Sequence, residues 1–247
     1  MISKTTILAL PRSGTTSIYS IFSNHKAQNE YLEEESIQLL TKYRLNNSFN
    51  SKIIVNSIIK RWNESKMQVD AASFNFLCAQ LIHEIFPQMM YIYLLRDPIT
   101  WIESFISMLI YYYDIFADQP MPEWMTDYGS VYADVFSWDV LMQSCSIERS
   151  TLGQLLISQL FDFWCNEHKS LLSFCMNKPV LYLRTENISN SLSVLSRFSG
   201  INIQDLSKEA HVNKGKNIKR FLHTEDKLLI STLSKPILNE FTKRCHG

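Results

Sequence analysis

Glycine and proline are scarce in this 247-residue sequence, at six and seven residues. That scarcity excludes a collagen-like or Gly/Pro-rich disordered chain. Cysteine pairs at metal-site spacing are missing: the five cysteines stand at 78, 145, 165, 175 and 245, with no C-x-x-C. An odd count without that spacing points to reduced thiols in a cytoplasmic protein, not to a disulfide framework or a zinc site. Neither charge is in excess, with 24 Lys+Arg against 24 Asp+Glu. A nucleic-acid binder carries a basic surplus, so no nucleic-acid partner is expected. No apolar run approaches the roughly 20 residues of a membrane span, so no membrane partner is expected either. The apolar-leaning residues 5–10 end at Pro11-Arg12, too short a stretch for a signal peptide.

What is present suits a globular chain: 46% hydrophobic, 12% aromatic and 19% charged residues. The length allows one large α/β domain or two small ones, with a core large enough to need no staple. Apolar strand-length runs fall at 5–10, 89–95 and 180–183, with a shorter candidate at 67–70. Helical spacing fills 15–24, 36–44, 51–66, 73–86, 99–113, 151–176, 189–199 and 224–243. Short buried strands separated by helices predict an α/β fold with a central parallel sheet flanked by helices. Ligands of such folds lie at the carboxyl ends of the strands, where Arg12 and Arg96 stand.

Charge is unevenly placed. Residues 97–148 contain Asp97, Glu103, Asp114, Asp118, Glu123, Asp127, Asp134, Asp139 and Glu148, and no Lys, Arg or His. A basic cluster follows at Lys208, Lys214, Lys216, Lys219 and Arg220. One region suits anions and the other a neutral or cationic partner.

The segment Pro11-Arg12-Ser13-Gly14-Thr15-Thr16 follows the first strand and opens the first helix. Gly14 permits a tight turn, and the first helical turn presents unpaired N–H groups to an anion. Thr15, Thr16 and Ser17 add hydroxyls, and Arg12 adds a charged fork. The competing reading is an ordinary strand–helix turn with a threonine cap. The magnesium-nucleotide loop G-x-x-x-x-G-K-[ST] is not matched, because the second glycine and the lysine are missing. The run ending in Leu95-Arg96-Asp97-Pro98 places Ser104 eight residues after Arg96. Arg96 and Ser104 either converge on one anion, or Arg96 and Asp97 simply close a strand–helix corner.

Together the two anchors resemble those of the sulfotransferase superfamily, which uses 3′-phosphoadenosine-5′-phosphosulfate (PAPS). Residues 11–16 match its K/R-x-G-T-x loop in the PRSGTT form of Golgi-type and bacterial members. Arg96 to Ser104 match its R-D-P-x-x-x-x-x-S segment. The resemblance implies a single sulfotransferase domain over 1–247 with a P-loop-NTPase-like core. It also implies adenosine 3′,5′-bisphosphate as product and no metal. Arg12, Ser13, Gly14, Thr15, Thr16 and Ser17 would hold the 5′-phosphosulfate, and Arg96 with Ser104 the 3′-phosphate. The run 180–188 is similar to a late family strand, with Thr185 and Asn187 replacing an aromatic residue and an Asp. Asn213, Lys214, Gly215 and Lys216 resemble a loop that closes over the cofactor; the alternative is a solvated basic face.

Golgi-type and several bacterial relatives use a glutamate shortly after the first helix as base. By that resemblance Glu30 is the first candidate and Glu33 the second, with Arg12 assisting catalysis. At least two of the glutamates 30, 33, 34 and 35 are expected on a solvated helix start. Asp70, at a strand end, either faces the acceptor or caps the next helix. Residues 111–150 read as an acceptor-side insertion or lid. Aromatic faces among carboxylates there suit a cation, so Tyr113, Trp124, Tyr128 and Trp138 are candidate contacts for a small, cationic acceptor. The alternative is a helical lid with an ordinary aromatic core. His83-Glu84 begins an H-E-x-x-H pattern that proline 87 breaks, and Cys165 with His168 makes too few ligands for a metal. The expected function is sulfuryl transfer from PAPS to a hydroxyl or N–H of a natural-product-like molecule. The rivals are a nucleotide or small-molecule kinase and a non-catalytic nucleotide-binding module.

Overall fold

A computed structural model describes residues 4–45, 50–116, 118–120, 122–132, 151–203 and 222–245. Its centre is a five-stranded, all-parallel sheet of β1 (Thr5–Leu8), β2 (Ala27–Gln28), β3 (Val69–Asp70), β4 (Met90–Leu95) and β5 (Val180–Arg184). The order β2-β3-β1-β4-β5 puts β1 at the point where the chain turns from building one side of the sheet to building the other. Such a switch point leaves a crevice beyond the strand's carboxyl end.

Strand alternation divides the core. Tyr91, Tyr93 and Leu95 of β4 face one hydrophobic cluster, and Ile92 and Leu94 face the other. The second cluster is covered by α1 (Thr15–Phe22), through Ile18, Ile21 and Phe22, and by α8 (Leu192–Ser199), through Leu195. The first and larger cluster is covered by α2 (Glu33–Leu45), α3 (Ser51–Ser65), α4 (Ala79–Ile85), α5 (Pro98–Phe116), α6 (Glu123–Tyr132), α7 (Thr151–Phe174) and α9 (Thr224–Cys245). Helices on both faces are what nearly continuous apolar strands require. The predicted α/β class is therefore observed.

Differences from the sequence reading are local. The helical spacing over 73–86 is divided into a 3₁₀ turn, Asn75–Cys78, and a short α-helix, Ala79–Ile85. The spacing over 189–199 likewise contains the end of a 3₁₀ segment, Thr185–Ser191, before α8. The first strand stops at Leu8, and Ala9 and Leu10 lead into the loop. Strand β2 is two residues long, too short to leave a periodic signal. Among the described residues the cysteines 78, 165, 175 and 245 are unpaired. No helix among them is long and apolar enough to cross a membrane.

Candidate active site

The loop between β1 and α1 has its carbonyls tied down from outside. Trp101 Nε1 donates to Pro11 O at 2.7 Å, Arg96 to Arg12 O at 2.6 Å, and Thr185 Oγ1 to Ser13 O at 2.8 Å. Three consecutive carbonyls thus receive donors from α5, from the end of β4 and from the residue after β5. The first bond into α1 runs from Ile18 N to Gly14 O at 3.1 Å, so the preceding N–H groups point out of the helix end. Arg12 and Gly14 adopt positive φ, 66° and 97°. A Cβ at Gly14 would lie 2.9 Å from Ile188 Cδ1 and 3.1 Å from Thr185 Cγ2. Only glycine satisfies both the dihedral and the contact.

A first cavity opens over this loop, lined by Arg12, Gly14, Thr15, Thr16, Ser17, Arg96 and Thr100, with Thr185 and Glu186 completing it. The Arg96 guanidinium has its pKa lowered by burial first and by the charge of Arg12 second. Two guanidinium groups lining one cavity at the start of a helix suit an anion. Glu186 offsets part of that charge and accepts from Asp97 N at 3.5 Å. Ser104 does not line the first cavity. It is buried, at 2% exposure, and accepts from Arg12 Nε at 3.3 Å, so it aims Arg12.

A second cavity shares Arg12, Thr15 and Thr16 with the first. Its walls are Phe105, Met108 and Leu109 of α5, Trp124, Tyr128 and Tyr132 of α6, and Leu160 of α7. Its polar groups include Asn29, Glu30, Glu33, Ser73 and Tyr112. Glu30 Oε1 accepts from Ser73 N at 2.9 Å, whereas Oε2 is buried without a partner. Burial, reinforced by the charge of Glu33 and opposed by the Ser73 bond, raises the Glu30 pKa to about 7. The Glu33 carboxyl is also raised, again by burial. Glu33, Glu34 and Glu35 are all exposed; Glu33 still lines the cavity, whereas Glu34 and Glu35 lie outside it and Glu35 pairs with Lys60 at 3.2 Å.

The segment carrying Glu30 is held in an uncommon backbone shape, with positive φ at Glu30 (54°) and Leu32 (53°). Between them, the Tyr31 carbonyl accepts from Arg61 Nε at 3.0 Å. Arg61 is 2% exposed, ion-paired with Asp70 and bonded to Asn75 Oδ1 at 3.2 Å. Asp70 is fully buried and does not line the second cavity. Its carboxylate neutralises Arg61 and caps Ala72 N at 3.2 Å, which is the capping alternative.

Of the predicted residues, Arg12, Gly14, Thr15, Thr16, Ser17 and Arg96 meet at the first cavity, and Glu30, Glu33, Trp124 and Tyr128 at the second. Ser13 is buried beneath the loop, with its Oγ unpartnered. Tyr113 belongs to α5, but its side chain lies outside the described residues, as do Trp138, Asn213, Lys214, Gly215 and Lys216. Sequence reasoning missed Asn29, Ser73 and Arg61. None stands in a motif, and only packing brings them to Glu30. Among the described residues no group of three or more His, Cys, Asp or Glu side chains could hold a metal ion.

No family model and no curated protein matches the chain. Among solved structures the fold is similar to that of a sulfotransferase from Alicyclobacillus acidocaldarius. The similarity covers 99% of this chain and 96% of that one, with a TM-score of 0.54 and 9% sequence identity. The architecture that joins the β1–α1 loop to the second cavity is thus a sulfotransferase-like fold.

Proposed function

We propose that the protein transfers a sulfuryl group from PAPS to a hydroxyl or N–H group of a small molecule, with Glu30 as general base. The observation that supports this most directly is the shared wall. Arg12, Thr15 and Thr16 line both the anion cavity and the cavity holding Glu30. An anionic donor in one and an acceptor in the other would meet at Arg12.

The donor chemistry fits the residues present. Two arginines, the hydroxyls of Thr16, Ser17 and Thr100, and the end of α1 match phosphate and sulfonate oxygens. PAPS, when bound, would supply the sulfuryl group: a bond forms from acceptor to sulfur as the sulfur–phosphate oxygen bond breaks, and that electron pair stays with the bisphosphate. Glu30 Oε2 would take the acceptor's proton. A base whose pKa is about 7 is ionised in a large fraction of molecules at neutral pH and still basic enough to hold a proton. Arg12 and the outward N–H groups of α1 would face the charge that develops on the leaving phosphate. Fixed donors of this kind are worth about 3 kcal/mol each when deleted singly. Trp101, Arg96 and Thr185 hold the loop beforehand, so little reorganisation is needed at the moment of transfer.

A thermal-shift titration tests the donor, comparing adenosine 3′,5′-bisphosphate with Mg–ATP. A ligand at about 100 times its Kd adds about 2.7 kcal/mol of stability. Stabilisation by the bisphosphate alone is expected; stabilisation by Mg–ATP alone would replace this reading with that of a kinase. Loss of transfer in Glu30→Gln with bisphosphate binding retained is the expected sign of the base.

A further inference from the structure

The first cavity is braced by a residue that does not line it. Arg96 stands between β4 and α5, and the first turn of α5 directs its donors to the next residue. Thr100 N donates to Asp97 Oδ1 at 3.1 Å, and Trp101 N to Asp97 O at 2.8 Å. Pro98 has no N–H to give. The Arg96 carbonyl is met from another helix instead, by Trp164 Nε1 of α7 at 3.3 Å. Trp164 is fully buried, so its indole N–H needs a partner inside the protein.

One turn further along α7, the His168 ring packs edge-on against Trp164, with centroids 4.5 Å apart. His168 is fully buried as well, and burial lowers its pKa to about 3, so the ring is neutral. Its Nδ1 lies 2.6 Å from the hydroxyl of Tyr93, a residue of β4. The brace therefore closes on itself. Strand β4 holds His168, His168 packs on Trp164, and Trp164 holds the residue that follows β4. Arg96 passes the constraint on: its guanidinium donates to Arg12 O at 2.6 Å, and its Nε to Thr100 Oγ1 at 3.4 Å. Both arginines line the first cavity, whereas Trp164 and His168 lie outside it. Packing alone would accept a phenylalanine at position 164. A buried N–H that meets one carbonyl adds a direction.

We infer that Trp164 is a positioning residue for the bound anion: by holding the Arg96 carbonyl, its indole N–H sets the Arg96 guanidinium in the first cavity. This deepens the proposed sulfuryl transfer and rests on it. Trp164 acts through Arg96 and takes no part in the transfer itself.

Calorimetric titration of the full chain with adenosine 3′,5′-bisphosphate at low salt tests this. Trp164 is replaced by benzothienylalanine, which keeps the shape of the indole and puts sulfur in place of its N–H. Loss of that one hydrogen bond is expected to weaken bisphosphate binding about three- to tenfold. Trp164→Phe, which also lacks the N–H, is expected to lose at least as much. In Arg96→Ala no guanidinium remains to be set, and there the benzothienyl replacement is expected to change binding by less than about twofold. A loss below about threefold in the otherwise unaltered chain overturns the inference, because packing without the N–H then suffices. A loss above about twofold in Arg96→Ala overturns it as well, because Trp164 then supports the fold at large and not Arg96. Bisphosphate binding by the unaltered chain is measured first and separates the two failures. If the bisphosphate does not bind, the sulfuryl-transfer reading falls and this inference with it. If it binds and either expected effect is missing, only the role of Trp164 falls.

Discussion

Replacing Glu30 by glutamine is expected to raise stability at alkaline pH while removing transfer. The Glu30 pKa is raised from 4.5 to about 7, with burial as the largest cause. Between those values the folded state binds a proton that the unfolded state has released, so stability falls as pH rises through the interval. Above about pH 7 the folded state carries a buried carboxylate at a cost on the order of 3 kcal/mol. Glutamine keeps the oxygen that accepts from Ser73 N, carries no charge and removes the repulsion with Glu33. The variant should therefore unfold roughly 6–12 °C higher than the parent at about pH 8. At about pH 5 most folded molecules hold the proton, and the gap should shrink below about 1 kcal/mol. Thermal denaturation of both proteins at the two pH values is the assay. A variant no more stable than the parent at pH 8, or a gap of equal size at both pH values, would refute the burial argument. The rate has the complementary dependence: it should fall about tenfold per pH unit below about pH 7, as Glu30 becomes protonated.

Three further outcomes follow from the geometry. Arg12→Ala should weaken adenosine 3′,5′-bisphosphate binding by about 10- to 100-fold, the worth of one charge-assisted contact, in a titration at fixed salt. Gly14→Ala must place a Cβ at φ 97° and 2.9 Å from Ile188 Cδ1. A loss of about 1–3 kcal/mol is expected by denaturant titration, together with weaker bisphosphate binding. Arg61→Met leaves Asp70 buried without its cation and should cost about 3–5 kcal/mol, whereas adding Asp70→Asn should recover part of that loss. In the double variant the Tyr31 carbonyl still lacks its Arg61 donor. The acid limb of its pH–rate profile should therefore shift even though much of the stability returns.

The anchors were legible in the sequence because each is local. A strand, a glycine turn and a helix start occupy consecutive residues 5–22, and their chemistry is set by backbone geometry that neighbours in the chain dictate. The run Arg96 to Ser104 is equally compact. The periodic apolar runs of β1, β4 and β5 and the helical spacing of α3, α5, α7 and α9 are also local signals, and they suffice for an α/β sheet. Glu30 could be named as a candidate, but its chemistry could not be read there. Nothing in the run of glutamates 30, 33, 34 and 35 says which of them is removed from water.

Tertiary structure made that choice. Glu30 is raised because α5, α6 and α7 close an apolar wall beside it and because Ser73, forty-three residues away, holds one of its oxygens. Ser104 meets Arg12 because the helical turn of α5 brings its hydroxyl to within 3.3 Å of Arg12 Nε. Asp70 stands away from the second cavity because Arg61, on α3, pairs with it inside the core. The sequence by itself determined the groups offered at the β1–α1 turn, since Arg12, Gly14, Thr15, Thr16 and Ser17 lie within six consecutive residues. Which carboxylate is withdrawn from water and which serine meets an arginine were decided only by folding. Desolvation and long-range hydrogen bonds depend on residues distant in the chain, and no spacing along it encodes them.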